Sequence, residues 1–371
     1  MTHITVPKLV ITGGPCGGKS SAMAFLVERL TALGYLPFVV PEAPTILIKS
    51  GMTPVGGLVP LRAFQESVLE LIITLEEAAV RSAIGSAHPK PVILCDRGLM
   101  DASAYMPEDM FLEMTLARGL DIASLRDTRY HAVFHLRSTA VGAEAFYTTA
   151  NNAARFETVD EARVVDAKTL NAWVGHPSVS VIGNSGVSFE SKLELLWKHV
   201  LRSLGEPEHH EIERRFLVAP IDVSALGVPH ERIFIEQMFI VPNEPNTIRR
   251  IRRRTLGNVT IPYETVKSFV RTGVAREIEH AISDNEYDAL ATLQLGGTDV
   301  IRKYRHCFVS DDQYFELDEF AGPLQGLFIL EIELVHEDDP VVLPPFLQVI
   351  EEVTGRYEYS NYALATHGIP K

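Results

Sequence analysis

Three cysteines, Cys16, Cys95 and Cys307, are all that 371 residues contain. Their odd number and wide spacing exclude a disulfide framework and fit free thiols in a reducing compartment. No apolar run of about 18 residues occurs and no apolar signal region opens the chain, so neither a membrane span nor secretion is expected. Positive charge is also short: 34 Lys and Arg stand against 48 Asp and Glu, a net charge of −14. Such a surface does not suit general nucleic-acid binding. The expectation is a cytoplasmic protein with at most peripheral membrane contact. What is present fits a globular chain of two domains, with 46% hydrophobic and 22% charged residues. The acidity is uneven. Residues 1–205 carry a net charge of −2 and residues 206–371 carry −12.

The first stretch with chemistry is Gly13-Gly14-Pro15-Cys16-Gly17-Gly18-Lys19-Ser20. It follows the short apolar run Lys8 to Thr12 and precedes helical spacing from Ser21 to Leu33. Strand, glycine-rich loop and helix are the context of a phosphate-binding loop. Backbone N–H groups of Gly13 to Gly18 curl around phosphates, Lys19 reaches the terminal ones, and Ser20 ligates Mg²⁺. Later strands are expected at Leu36–Val40, Pro91–Asp96, His131–Leu136 and Val179–Asn184, with a long helix at Leu61–Ile84. Glu42 and the pair Asp96-Arg97 close two of these strands, where doubly wound sheets place ligand contacts. Asp96 would hold a Mg²⁺-bound water or take a substrate proton, and Arg97 would touch a phosphate. Arg155 and Arg163 fall in a charged segment suited to a lid, and Asn184 where such folds meet the base. No Asn-Lys-x-Asp motif occurs, so GTP and ATP stay open. Residues 1–205 resemble the kinase-like P-loop domain of bacterial NadR-type ribosylnicotinamide kinases. The linker Gly205 to His210 follows; its His209 and His210 read as solvated.

From residue 211 onward one device recurs. Charged residues occupy every second position with apolar residues between: Glu211-Ile212-Glu213-Arg214-Arg215, Arg250 to Arg254, Thr265-Val266-Lys267, Glu277-Ile278-Glu279, Lys303-Tyr304-Arg305, Glu316-Leu317-Asp318 and Glu331-Ile332-Glu333. In a strand each unit puts its charges on one face. Repetition with both signs points to an antiparallel β-barrel whose lumen is charged, with flanking helices. Crowded carboxylates call for a divalent cation with oxygen ligands, Mg²⁺ or Mn²⁺. Arg and Lys among them would hold a polyanion. Expected metal ligands are Glu211, Glu213, Glu277, Glu279, Asp318, Glu331 and Glu333, with Glu211 and Glu213 also catalytic. Arg215, Arg250, Arg252, Arg254, Lys267, Lys303 and Arg305 would bind the substrate. Ser283-Asp284-Asn285-Glu286 opens a helix expected to plug or cover one barrel end, and Pro344-Pro345 is expected to begin a last helix through Val353.

The series from Glu211 to Glu333 resembles the CYTH, or triphosphate tunnel, domains over roughly residues 208–371. Arg215 departs from the family, whose hydrolytic members carry Lys there. Arg keeps the charge and cannot lose a proton, which favours binding over catalysis. The order of the two domains, with the closing Val353-Thr354-Gly355 and Tyr359-Ser360-Asn361-Tyr362, resembles the TRPL-translocation-defect family. That resemblance implies a GTP-binding domain, a tunnel that binds phosphoinositide head groups, and a role in membrane trafficking. Three functions follow from these sites. They are a nucleotide-regulated binding protein for a phosphoinositide head group or polyphosphate, a metal-dependent hydrolase of tripolyphosphate, pyrophosphate or nucleoside triphosphates, and a small-molecule kinase.

Overall fold

A computed structural model describes residues 6–147, 158–184, 188–206, 212–271 and 274–370. Arg155, Ser185, His209, His210 and Glu211 lie outside the described residues. The chain divides into two compact units, residues 1–204 and 205–371.

The first unit is built on five parallel strands: β1 (Lys8–Thr12), β2 (Leu36–Val40), β3 (Pro91–Asp96), β4 (Ala132–Leu136) and β5 (Val179–Ile182). Their order is β2-β3-β1-β4-β5. The chain thus moves to one side of β1 and later to the other, and the crevice at the carboxyl ends of β1, β3 and β4 is a switch point where ligands bind. The central strands are apolar and buried on both faces, as parallel strands between helices must be. One layer comprises α1 (Lys19–Ala32) and α6 (Phe189–Ser203), packed through Leu26, Leu30, Leu196 and Val200. The other includes α2 (Ala43–Lys49) and α3 (Leu61–Gly85), through Leu47, Val68, Leu69 and Ile72. Two further helices are α4 (Glu108–Leu116) and α5 (Val159–Asn171). Thr158 and Glu161 form a capping box that starts α5, and Ser188 caps α6.

The second unit is one antiparallel sheet of nine strands. They are β6 (Ile212–Val218), β7 (His230–Ile240), β8 (Thr247–Leu256), β9 (Val259–Arg271), β10 (Val274–Ala281), β11 (Ile301–Ser310), β12 (Gln313–Phe320), β13 (Phe328–Leu334) and β14 (Val349–Glu352). The order is β10-β9-β8-β7-β11-β12-β13-β6-β14. No pairing among the described residues joins β10 to β14. The sheet nevertheless curls. Ile248, Phe239, Ile301, Phe320, Ile329 and Leu217, from six successive strands, meet in one cluster around Leu364 and Ala365 of α8 (Asn361–His367).

Two helix expectations change. The segment after Pro344-Pro345 is not helical: Val349 to Glu352 pair with β6, and Val353 N–H donates to Arg215 O at 2.8 Å. The free edge of β6 outweighs the local helical pattern, and Val349 and Ile350 are β-branched. Helix α7 (Asp284–Ala291), capped by Ser283 and Glu286, packs Tyr287 on Ile240 and Ile251. Those two residues lie on the face opposite the charges, so α7 covers the outside and α8 fills the inside.

Candidate functional site

In the first unit the loop after β1 bends where only glycine fits. Gly13 has φ +138°, and a Cβ there would sit 2.0 Å from Leu136 O; one on Gly14 would sit 2.7 Å from Asp166 Cβ. The loop is held from below by side chains that the sequence reading missed. Asp166 of α5, fully buried, accepts from Gly14 N at 2.9 Å, Ser138 N at 2.9 Å and Arg137 Nη1 at 3.0 Å, with His135 Nε2 at 3.2 Å. Burial pushes the Asp166 carboxyl up, but His135 and Arg137 outweigh it and hold the group well below the aspartate range. Lys192 of α6 donates to Gly17 O at 3.2 Å and Arg137 O at 2.7 Å. Neither residue stands near the loop in sequence, so only a predicted helix register would have marked them.

Lys19 is half-buried and donates to Gly13 O and Gly14 O, each at 2.9 Å. Burial first, and the Arg97 guanidinium second, lower its pKa to about 8. Across the crevice Arg97 has φ +74° and donates Nε to Glu42 Oε1 at 2.6 Å. Its Nη1 is buried without a hydrogen-bond partner, as is Asp96 Oδ1. Burial, then Glu42, raises the Asp96 pKa. For Glu42 burial works upward, but Arg97 and Thr45 prevail and its pKa falls to about 2. Asp101 accepts from Gly98 N at 2.7 Å and from Thr12 Oγ1, a capping arrangement. Ser20 is exposed at the first turn of α1.

Two residues expected at the nucleotide are engaged with the protein. The Asn184 amide donates to Ser138 O at 2.7 Å and Val141 O at 2.8 Å and accepts from Lys192 Nζ at 2.7 Å. Arg163 donates to Ala140 O at 2.7 Å, Asp160 at 2.8 Å and Glu144 at 2.9 Å.

In the second unit the strand register gathers the alternating charges on one face. Arg250 lies opposite Thr265 and Ile248 opposite Lys267, while Glu277 faces Lys267 and Glu279 faces Thr265. Arg305 pairs with Asp318, Glu316 with Glu331, Glu331 with Arg215, and Glu333 with Glu213. Arg250, Arg252 and Arg254 share this face; Arg249 and Arg253 take the other, held by Glu264 at 2.5 Å and Asp288 at 3.0 Å.

The charges here are enclosed. Lys303 is 2% exposed and Asp318 0%. Arg305 forms a two-pronged bridge to Asp318 at 2.7 Å for each prong, continues to Glu331 at 2.6 Å, and also holds Glu316. Lys303 bonds the same Asp318. Burial raises the Asp318 pKa, but Arg305 and Lys303 prevail and hold it far below the aspartate range. Burial and neighbouring Asp318 push Glu331 up, and Arg305, Lys303 and Arg215 still bring it below its ordinary value. Burial lowers Lys303 despite Asp318 beside it. A second group joins Arg250 to Glu277 at 2.8 Å and Arg252 to Glu279 at 2.5 Å, with Lys267 3.6 Å from Glu277. Arg215 bonds Glu213 and stands 3.3 Å from Glu331. Glu316 was visible in the Glu-Leu-Asp alternation and was passed over as a site residue.

The expected metal ligands therefore separate along the sheet, Glu277 and Glu279 on β10 and the others on β6, β12 and β13. Among the described residues no three His, Cys, Asp or Glu side chains converge as a metal cluster. Each acid group is instead interleaved with cations. Two like-charged pairs face each other directly across strands, Glu213 with Glu333 and Glu316 with Glu331. Facing carboxylates repel, and an oxygen-only donor set suits Mg²⁺ or Mn²⁺.

Comparison with known proteins gives separate answers for the two units. Residues 8–190 match the family described as an AAA domain. The C-terminal part is similar to an inorganic triphosphatase of Nitrosomonas europaea, 34% identical over 160 residues, which covers 42% of this chain and 96% of the relative. A second inorganic triphosphatase, from Acetivibrio thermocellus, is 31% identical over 152 residues, 41% of this chain and 90% of that protein. A crystal structure of an inorganic triphosphatase is 30% identical over 43% of this chain and 97% of that one, with a TM-score of 0.31. No helix among the described residues is long and apolar enough to cross a membrane.

Proposed function

Because the chain belongs, through its C-terminal unit, to the family of the inorganic triphosphatases, we propose that this unit hydrolyses inorganic triphosphate with a divalent cation. The observation that carries the reading is the buried, mixed-sign network on one sheet face. Without ligand the cations are neutralised by carboxylates; a polyphosphate with its metal offers both signs at once. At an effective dielectric of ~20, unit charges ~4 Å apart interact by about 4 kcal/mol, so the exchange of partners is well balanced. Arg250, Arg252, Arg254 and Lys267 bind phosphate oxygens from one side of the sheet order, and Lys303 and Arg305 from the other. Glu213, Glu331 and Glu333, with Glu211, are the residues that would hold Mg²⁺ or Mn²⁺. The metal would supply Lewis-acid polarisation of a phosphoryl oxygen and a water made nucleophilic near neutral pH. Closure of the sheet into a tunnel belongs to the same proposal.

The first unit is read as a site for GTP or ATP. Lys19 releases Gly13 O and Gly14 O to take the phosphates, and Ser20 and Asp96 face the accompanying Mg²⁺. The partnerless oxygen of Asp96 also suits a kinase step on a small molecule. For the second unit, one observation favours a nucleotide-regulated binding protein for polyphosphate or a phosphoinositide head group. Arg215 stands at the position where a lysine would be able to titrate.

Phosphate release from tripolyphosphate with Mg²⁺ or Mn²⁺, and its loss on chelation, tests the hydrolase. Tight metal-dependent binding without release, converted to turnover by Arg215→Lys, would favour the binding protein instead.

A further inference from the structure

Strand β7 sends Ile233, Ile235, Gln237 and Phe239 to the charged face. All four are buried, and three are apolar. Gln237 is the exception. It is 1% exposed, and its amide nitrogen has no hydrogen-bond partner. Burying such a donor unpaired is destabilising unless something else takes the hydrogen bond. The register places Gln237 directly opposite Arg252 on β8 and Ile301 on β11. Arg252 uses Nη2 to hold Glu279, but its Nε is also buried without a partner. Two unused donors, one neutral and one cationic, therefore stand side by side on the same face.

Their position along the strands gives them a role. Phe239 and Ile301, next to Gln237, belong to the apolar cluster that α8 fills. Gln237 and Arg252 mark the place where the charged stretch ends and the apolar floor begins. We propose that Gln237 is a substrate-contacting, length-sensing residue: with Arg252 it donates to oxygens of the phosphoryl group lying deepest against that floor. A linear triphosphate reaches it and a pyrophosphate held among the outer charges does not. A neutral amide suits this place because it binds an oxygen without adding charge where solvent is already excluded.

The inference rests on the triphosphatase reading, and the test separates the two. The full chain and its Gln237→Met variant, similar in volume and without the donor, are compared with Mg²⁺ present. The KM for tripolyphosphate is expected to rise about tenfold, as for a lost hydrogen bond to a charged group, while the inhibition constant of pyrophosphate is unchanged. The melting temperature of ligand-free Gln237→Met is expected to equal or exceed that of the parent chain. An unchanged KM, or an equal rise for both ligands, overturns the role. Gln237→Glu, which keeps the size and repels phosphate, is expected to lose tripolyphosphate binding. Should the parent chain bind tripolyphosphate without cleaving it, the hydrolase reading fails. Calorimetric affinities then decide Gln237 by the same tenfold criterion.

Discussion

Lys19 shows how one residue's surroundings set a measurable property. Its pKa in the ligand-free protein is lowered to about 8 by burial and by Arg97. Only the ammonium form pairs with phosphate. The sign follows: below pH 8 the site is already charged, and above it binding must recover a proton. Nucleotide affinity is therefore expected to hold up to about pH 8 and then to fall by about tenfold per pH unit, with proton uptake seen by calorimetry in buffers of different ionisation enthalpy. Constant affinity to about pH 9.5 would contradict the placement of Lys19 at the phosphates. The motif made Lys19 legible in the sequence. Asp166 was not legible, because a single acid inside a charged helix carries no signal until the fold puts it under Gly14.

Helix α8 has the largest structural consequence for its length. Seven residues fill the end of the charged face where six strands converge. Leu364, 2% exposed, is its central contact. Leu364→Ala is expected to cost about 2–5 kcal/mol, as cavity-forming substitutions do. A denaturant titration that follows the second unit would register it. A change below about 0.5 kcal/mol would mean that α8 is peripheral to the sheet's curl. Alternation of charge made the strands legible at this scale, since period two repeated many times leaves little choice. The inner and outer helices were not legible. The capping box at Ser283 locates a helix start but not the face it covers, and the tail's aromatics, Tyr359 and Tyr362, gave no direction. The segment Val349–Glu352 was misread because pairing with a distant strand edge, not local pattern, decides it.

At the scale of the whole molecule two chemistries share one chain. One unit reads phosphates with backbone N–H groups and Lys19; the other does so with a buried ring of Arg and Lys interleaved with carboxylates. The sequence distinguished the units because their patterns differ in kind, a single glycine-rich loop against a repeated alternation. It could not rank binding above hydrolysis, since Arg215 and the carboxylate set pull in opposite directions. The measurement that tests the central claim most directly is phosphate release from tripolyphosphate with Mg²⁺ or Mn²⁺. The parent chain, Lys19→Ala and Glu213→Ala/Glu331→Ala would be compared. The account predicts turnover in the parent and in Lys19→Ala, and a loss of at least about a hundredfold in the double glutamate variant. Turnover lost with Lys19 and retained without the two glutamates would place the chemistry in the first unit and contradict the account.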